Sequence, residues 1–363
     1  MNTVITFEDI LLLKEEKSRL QQAAAAKYRS NIVALAVNMP GKIKKSPLIM
    51  DFLYHGLQQI RALLSAHNLE ICYEAVHPLS AGPFAILAVS GEAAHIKKLT
   101  VQLEEAHAYG RLWDMDVYDC EYRQISRSEL ALSPRSCFIC NQPAAVCVYA
   151  RKHSPEELLT AAQTLLNEFA HEQVTLRSLT AQKLGTLAVE AMLMEAACAP
   201  APGLVDRFKS GAHKDMDIFT FLKSSAALAP TMYACAALGL NHRDSLQTLL
   251  PALRQIGQKG EREMFVATAN VNTQKGLIFL LGILVAAVGY CAQRSTQLSA
   301  AAVRTTIQAI CGGLVRDELD VLRSHPPQRA LTAGEKLYLE HGITGIRGEM
   351  AAGVPTLFDA GLP

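Results

Sequence analysis

The spacing of hydrophobic residues changes once along this chain, and that change predicts two domains with different folds. Before about residue 150, apolar strand-like runs such as 31–41 and 111–119 alternate with segments of helical spacing. From 154 to 330 the segments are rich in Ala and Leu at helical spacing, without a convincing strand. We therefore expect an α+β domain with a mixed sheet over residues 1–174, followed by an all-α helical domain over residues 175–363.

Composition and charge limit the class of protein. The 363 residues are half hydrophobic and carry a net charge of +1, which favours a sizeable core and argues against a dedicated nucleic-acid binder. The amino terminus has acidic residues and no basic start, unlike a signal peptide. The apolar run 276–290 is shorter than the roughly 20 residues of a membrane span, so it predicts a buried core helix. The nine scattered cysteines fit a reducing compartment, and we expect a cytoplasmic protein with no membrane partner.

Asp114 and Asp116 stand two residues apart in GRLWDMDV, on a segment predicted to be a strand. Alternate residues of a strand point to the same face, so the two carboxylates would project together while Met115 turns into the core. Paired carboxylates suit Mg²⁺, which also binds substrate phosphates in phosphoryl and nucleotidyl transfer. Arg111 and Arg127 lie nearby in sequence and would add phosphate-binding side chains. The alternative is an edge strand that shows two aspartates to water.

Cys137, Cys140, Cys147 and His153 place four soft metal ligands within one short segment. A Cys-x2-Cys pair is a common half of a zinc site, although the spacing of the second half is irregular. Buried cysteines also behave as small hydrophobic residues, and the surroundings of Cys147 have the apolar character of a strand. Two interpretations stay open, namely a structural zinc site, or core thiols beside a His153 that belongs to a catalytic pocket.

The segments NMPGKIKK, GRLWDMDV, PRSCFICNQPAAVC and ARKHS follow one another over roughly residues 5–172. In that order they resemble the family of apo-citrate lyase phosphoribosyl-dephospho-CoA transferase, also called holo-citrate lyase synthase, whose chemistry is similar to that of nucleotidyltransferases. The resemblance implies transfer of a phosphoribosyl-dephospho-CoA unit to a serine of the acyl-carrier (gamma) subunit of citrate lyase, with release of pyrophosphate. It places Arg111, Asp114 and Asp116 in the active site, with both aspartates on Mg²⁺. The phosphate contacts that it suggests are Arg111, Lys44, Lys97 and Arg127.

A second triplet, Asp215-Met216-Asp217, opens a predicted helix over residues 214–228. Residues two apart on a helix lie about 200° apart around its axis, so these aspartates cannot share a face. At the first turn, Asp217 would cap main-chain amides while Asp215 faces a metal ion. The two triplets are therefore expected to work differently.

Four segments of the second half, PGLVD, SGAHKDMD, VNTQKG and GITGIRGEMAAGVP, together resemble the triphosphoribosyl-dephospho-CoA synthase family from about residue 183 onward. The resemblance implies an enzyme for ATP and dephospho-CoA, in which a ribose 2′-hydroxyl attacks the anomeric carbon of ATP's ribose and adenine leaves. Mg²⁺ and basic groups would hold the triphosphate, and either Glu195 or Glu349 would act as the base. The other positions carried over are Asp206, His213, Asp215 as a metal ligand, Asn272, Lys275 and Arg347.

Two positions depart from the synthase pattern, because Ala201 stands where that family has a lysine and Gln274 where it has a histidine. The family's later D-T-N and R-G-G segments do not appear, so we expect the second half to be incomplete at its C-terminus. The interpretation favoured by the sequence is a fusion of two enzymes that build and attach the prosthetic group of citrate lyase. One alternative is an active transferase whose helical half is a nucleotide-binding or scaffolding remnant, and another is a non-enzymatic chaperone for the acyl carrier.

Overall fold

The protein is described by a computed structural model over residues 5–140, 142–294, 298–324 and 329–362, and it forms two compact units. The units are Met1–Val174 and Thr175–Pro363. The first contains a small sheet with helices, and the described residues of the second are helical and contain no strand. The predicted class, α+β followed by all-α, is confirmed.

The first unit alternates helices and strands. The helix over residues 7–28 begins after Thr6, because Thr6 and Asp9 form a reciprocal capping box. The helix over residues 155–197 opens with a proline and two glutamates, as a helix start favours. The elements are α1 (Phe7–Tyr28), β1 (Asn31–Val37), α2 (Pro47–Ala66), β2 (Ile71–His77), β3 (Phe84–Val89), α3 (Ala93–Ala106), β4 (Trp113–Tyr118), α4 (Ala144–Tyr149) and α5 (Pro155–Ala197).

The four strands form one sheet in the order β2-β3-β1-β4, with every neighbouring pair antiparallel. The expected mixed sheet is therefore wrong in this respect, since no hydrogen-bonded pair of these strands is parallel. The helices α2 and α3 connect strands that run in the same direction but are not neighbours in the sheet. One face packs on α2, α3 and the start of α5 through residues such as Val33, Leu35 and Phe169. The other face is covered by α1 through Ala24 and Ala25. Both faces are thus shielded, which explains why the inner strands β1 and β3 are apolar along most of their length.

Two local predictions were incomplete or wrong. Strand β2, ICYEAVH, was not predicted, because it lacks a regular apolar alternation and its pairing with β3 is irregular between Ile71 and Tyr73. The segment around Cys147 is the short helix α4 and not a strand. Its valines favour a strand by propensity, but Pro143 directly precedes the helix and suits a helix start.

The second unit packs helices around two large apolar clusters and a smaller one of Leu319, Leu322 and Tyr338. The helices over residues 218–241 and 275–294 approach each other closely because glycines stand at their contact. A Cβ on Gly239 would lie 2.0 Å from the Ala286 carbonyl oxygen. The helices are α6 (Ile218–Asn241), α7 (Leu249–Ala267), α8 (Lys275–Arg294), α9 (Ala300–Cys311), α10 (Val321–Ser324), α11 (Ala333–His341) and α12 (Gly345–Ala351), with π-helical turns at Val315–Asp320 and Thr356–Gly361.

Helix α8 contains the long apolar run of the sequence. By length and composition alone it could cross a membrane, but half of its most apolar stretch is buried inside the protein. Residues such as Ile283, Ala286 and Ala287 belong to the core of the second unit. Its burial matches the expected core helix.

Candidate functional site

Strand β4 presents two carboxylates on the sheet face that α1 covers. Asp114 and Asp116 are half-buried, whereas Met115 between them is buried in the core on the opposite face. The residues opposite them on β1 are Ala36 and Ala34. These short side chains add little bulk beside the carboxylates. The predicted same-face geometry therefore exists.

The two carboxylates make an electrostatically strained pair. Burial, followed by the charge of Asp114, raises the pKa of Asp116 above its ordinary value. Gln124 Nε2 donates a hydrogen bond to Asp116 Oδ1 over 2.9 Å, and Lys17 Nζ lies 3.8 Å from its Oδ2. A divalent cation beside both carboxylates would offset their repulsion, so the donor set fits Mg²⁺.

Arg135, which the sequence interpretation did not single out, lies at the centre of this site. Its Nη1 donates to Asp114 Oδ1 over 2.8 Å, and its Nη2 donates to the carbonyl oxygens of Arg111, over 3.0 Å, and Trp113. The one sequence signal for Arg135 is its place in the PRSCFIC segment, which is among the motifs shared with the resembled family. The guanidinium joins the carboxylate pair to the loop that precedes the cysteines.

Two of the predicted phosphate contacts are held by main-chain carbonyls. Arg111 Nη1 donates to the carbonyl oxygens of Ser136, over 2.6 Å, and Cys137, over 2.9 Å. Lys44 Nζ donates to the Met39 carbonyl oxygen, and burial lowers the pKa of this ammonium. Arg111 thus orders the cysteine loop beside the carboxylates, and Lys44 orders the turn after β1.

The other two predicted phosphate contacts support β4 from its outer edge. Lys97 is buried and donates to the Met115 carbonyl oxygen over 2.8 Å, while Glu104 accepts from the Met115 amide over 2.9 Å. Arg127 in turn forms an ion pair with Glu104, and its Nη1 lies 2.7 Å from Glu105 Oε1. In this arrangement Lys97 and Arg127 fix the strand that bears the carboxylates.

The four predicted soft ligands converge in space. Their ligand atoms lie within 4.8 Å of one another. Cys140 Sγ lies 3.4 Å from Cys147 Sγ and 3.4 Å from His153 Nε2. Hydrogen bonding, first from the Gln142 amide and then from His153, lowers the pKa of the Cys140 thiol. The segment therefore forms a compact cluster that includes a thiol disposed to ionise.

In the second unit, a cavity of about 550 Å³ brings together two residues predicted from separate motifs, Lys275 and Arg347. Two carboxylates that the sequence interpretation missed also line it. Lys275 Nζ lies 2.9 Å from Glu261 Oε2, and Arg347 Nε lies 2.9 Å from Glu318 Oε2. Glu318 also pairs with Arg254, the third cation of the lining. The volume falls within the range of ligand pockets, and the cations suit a polyphosphate.

Residues of the VNTQKG segment support the start of α8 behind this cavity. Asn272 Oδ1 accepts from the Lys275 amide over 3.3 Å. Gln274 is buried and bonds Ser224 Oγ and Ser225 Oγ over 3.3 and 3.2 Å. The segment therefore aims Lys275 at the cavity while Gln274 points into the core.

The loop that contains PGLVD and SGAHKDMD lies outside that cavity lining. Asp206 is buried and accepts main-chain N–H bonds, first among them one from Phe208, which lower its pKa. His213 Nδ1 lies 3.9 Å from Asp215 Oδ1, with both side chains exposed. Asp217 caps α6 through a capping box, as predicted, so the two aspartates of this triplet have different environments.

Neither predicted base lines the cavity in the described residues. Glu195 is exposed near the end of α5. Glu349 Oε1 accepts from the Thr356 amide over 2.8 Å. The carboxylates that line the cavity are Glu261 and Glu318. Glu261 and Glu318 pair with cations from other helices, so no local sequence motif predicts these two carboxylates as part of the site.

Comparison with known protein families divides the chain in two. Residues 5–169 match the family of apo-citrate lyase phosphoribosyl-dephospho-CoA transferases. Residues 181–363 match the family of ATP:dephospho-CoA triphosphoribosyl transferases.

Two relatives share both parts. Protein CitXG of Haemophilus influenzae is 32% identical over 355 residues, which cover 96% of this chain and 74% of that protein. Protein CitXG of Leuconostoc mesenteroides is 32% identical over 356 residues, which cover 96% of this chain and 75% of that protein. A probable 2-(5''-triphosphoribosyl)-3'-dephosphocoenzyme-A synthase of Photobacterium profundum is 42% identical over 181 residues, covering 50% of this chain and 56% of that protein. The chain therefore belongs to the CitXG family, with a CitX domain followed by a CitG domain.

Proposed function

We propose that this chain makes the prosthetic-group precursor of citrate lyase and attaches it to the apoprotein in the cytoplasm. The second unit forms triphosphoribosyl-dephospho-CoA from ATP and dephospho-CoA and releases adenine. The first unit transfers phosphoribosyl-dephospho-CoA from that product to a serine of the acyl-carrier subunit. A new bond from the serine oxygen to phosphorus replaces the bond to the leaving pyrophosphate, and the serine proton is released.

The carboxylate pair of β4 is the observation on which the transferase assignment depends most. Asp114 and Asp116 would hold Mg²⁺, which when bound would neutralise charge on the pyrophosphate. Arg135 holds Asp114 in place and adds positive charge beside the pair. Lys97 and Glu104 hold strand β4 in position by bonding to the main-chain carbonyl and amide of Met115. The site is thereby ordered before the substrate arrives.

The transfer step is tested with the purified chain, apo-carrier and triphosphoribosyl-dephospho-CoA, with pyrophosphate release as the measurement. Asp114→Asn should lower the rate at least 100-fold, because one of two proposed metal ligands loses its charge. Glu92→Gln removes an exposed carboxylate at the start of α3, which makes no side-chain cap bond, and should leave the rate unchanged. Carrier binding should persist in Asp114→Asn. If pyrophosphate release also persisted at the wild-type rate, the metal-pair assignment would be wrong.

The cavity of Lys275 and Arg347 supports the synthase assignment. Three cationic side chains, Arg254, Lys275 and Arg347, surround a space of nucleotide size. Each of them forms an ion pair with a carboxylate that orients it. We propose that the triphosphate of ATP binds here. On binding, the phosphate oxygens would accept hydrogen bonds from Lys275, Arg254 and Arg347, and the two arginines can form paired bonds with phosphate.

Adenine release from ATP and dephospho-CoA tests this second activity. Lys275→Met should reduce it at least tenfold, mainly through a higher KM for ATP. Lys259→Met alters an exposed lysine of α7 outside the cavity lining and serves as the matched control. If wild type releases no adenine but transfers a supplied precursor, the helical half is a nucleotide-binding or scaffolding remnant. If neither product forms while the carrier binds, the chaperone alternative is favoured.

A further inference from the structure

The cluster of Cys137, Cys140, Cys147 and His153 has the dimensions of a four-ligand metal site. A tetrahedral Zn²⁺ with three thiolates and one imidazole requires ligand atoms about 3.5–3.8 Å apart. The two contacts of Cys140, to Cys147 Sγ and His153 Nε2, are 3.4 Å each, and all four ligand atoms lie within 4.8 Å. Small adjustments of the side chains would place all four around one ion.

The main chain already presents these ligands from two elements. The Cys137 amide donates to the Gln142 carbonyl oxygen over 2.8 Å, and an isolated bridge joins Ser136 to Pro143. This turn carries the first two cysteines. Helix α4 carries Cys147, whose carbonyl accepts from the Lys152 amide over 3.0 Å and so brings the following histidine back. A turn facing a short helix is a common way to build a zinc site.

The hydrophobic core accounts for only part of the order of this segment, through Phe138, which packs against it. Cys137 and Cys147 are buried, but Cys140 and His153 are half-exposed. The neighbouring apolar side chains of α4 point away, with Tyr149 93% exposed. A segment with so little buried apolar surface needs another source of stability, and small domains commonly obtain it from a metal ion.

The cluster is bonded directly to the carboxylate site. Arg111 donates to the carbonyl oxygens of Ser136 and Cys137. Arg135, two residues before Cys137, donates to Asp114. The position of the cysteine turn therefore sets the position of both arginines.

We propose that Cys137, Cys140, Cys147 and His153 bind one structural Zn²⁺, and that the ion fixes the turn that holds Arg111 and positions Arg135 against Asp114. The four protein ligands close the coordination sphere, so the ion holds the loop and does not contact substrate. Zn²⁺ replaces the thiol protons, which pass to solvent as the metal binds. The positioning part rests on the proposed transferase function, whereas metal binding does not.

The test measures zinc per chain by elemental analysis in protein purified without added metal and under reducing conditions. Wild type should hold about one zinc, and Cys140→Ser should hold at least tenfold less. Cys72→Ser removes an exposed thiol elsewhere in the same unit and should match wild type. Zinc-free wild type that also fails to bind added Zn²⁺ would overturn the proposal, as would full zinc in Cys140→Ser.

Cobalt and a ligand exchange make the result independent of expression yield. Co²⁺ bound to the wild-type chain should show the intense visible bands of a tetrahedral thiolate site, and His153→Ala should lose them. His153→Cys keeps four ligands and should restore both metal binding and pyrophosphate release. Restored metal without restored release would instead indicate that His153 acts in a catalytic pocket and would refute the structural role.

Failure of the proposed function can be told apart from failure of the metal site. Asp114→Asn should keep full zinc while losing transfer, since the carboxylate is not a zinc ligand. An inactive wild-type chain that holds zinc would refute the transferase proposal alone. Arg135→Lys should lower kcat more than it raises the KM for the precursor, with zinc unchanged, because it acts through Asp114. A rise in KM for the precursor with an unaltered kcat would refute the positioning role of Arg135.

Discussion

The contact between α6 and α8 should make Gly239→Ala one of the most damaging small substitutions in the second unit. The new Cβ would lie 2.0 Å from the carbonyl oxygen of Ala286 and 2.7 Å from its carbonyl carbon. Both clashing groups belong to the main chain of a buried helix, so no side chain can turn aside. Either the helices separate by about 1 Å or the local packing breaks, and overpacking of this kind costs about 1–3 kcal/mol.

We place Gly239→Ala at the upper end of that range, about 3 kcal/mol, because neither partner can relax alone. For a unit of this size, each kcal/mol of destabilisation lowers the midpoint temperature of thermal unfolding by about 2–4 °C, so a fall of about 6–12 °C is expected. Gly257→Ala is the matched control on α7. Its Cβ would meet its nearest atom, Ile278 Cγ2, at an ordinary 3.8 Å. That control should gain about 0.5–1 kcal/mol from helix propensity.

Urea unfolding of the full chain measures both variants. Far-UV circular dichroism follows the helices, and the single tryptophan, Trp113, identifies the transition of the first unit. The free energy of unfolding of the helical transition should fall for Gly239→Ala and rise for Gly257→Ala. A Gly239→Ala protein within about 0.5 kcal/mol of wild type would refute the close-contact argument.

Three further substitutions test other parts of the molecule. Gly56→Ala would put a Cβ 2.6 Å from Trp113 Nε1, so the first unit should lose about 1–3 kcal/mol and its tryptophan emission should shift to the red. Gln274→Leu should cost about 1–3 kcal/mol in urea unfolding, because two buried serines lose its hydrogen bonds. Hydrogen bonds, first from Arg329 and then from the Thr332 amide, lower the pKa of Glu335 from 4.5 to about 2. The stability contributed by the Glu335 charge is therefore full above pH 4.5 and is lost as pH falls towards 2. Glu335→Gln should therefore lose about 1–2 kcal/mol at pH 7 and match wild type near pH 2.

Each of these has an outcome that would contradict it. An unshifted Trp113 emission in a stable Gly56→Ala protein would show that the indole has room to move. A Gln274→Leu protein as stable as wild type would show that the serines find other partners. A difference between Glu335→Gln and wild type that did not narrow as pH falls would show that the carboxylate charge is not the cause.

The sequence could predict the features that depend on local periodicity. Strand alternation placed Asp114 and Asp116 on one face with Met115 in the core. Capping chemistry predicted that Asp217 caps a helix start, although the helix begins at Ile218 and not at residue 214. Such features depend on the spacing of neighbouring residues and on the hydrogen bonds that short segments make with themselves, and both are visible in the residue order.

The sequence could not predict contacts that form only when distant segments meet. Arg135 reaches Asp114 across a loop, and Glu318 meets Arg254 and Arg347 only after the helices pack. A lysine such as Lys97 is usually solvated or bound to phosphate, yet Lys97 is buried against strand β4. A charged residue type tells nothing about which partner the fold brings to it.

Capping of the outer side of β4 determines how a partner can approach this site. An edge strand normally offers free N–H and C=O groups that pair with strands of other molecules. At Met115, at the centre of β4, both groups are occupied by Lys97 and Glu104. An extended peptide therefore cannot add to the sheet there, and the same contacts guard against edge-to-edge aggregation. In the proposed transfer reaction, the carrier's serine would therefore reach Asp114 and Asp116 without adding a strand beside Met115.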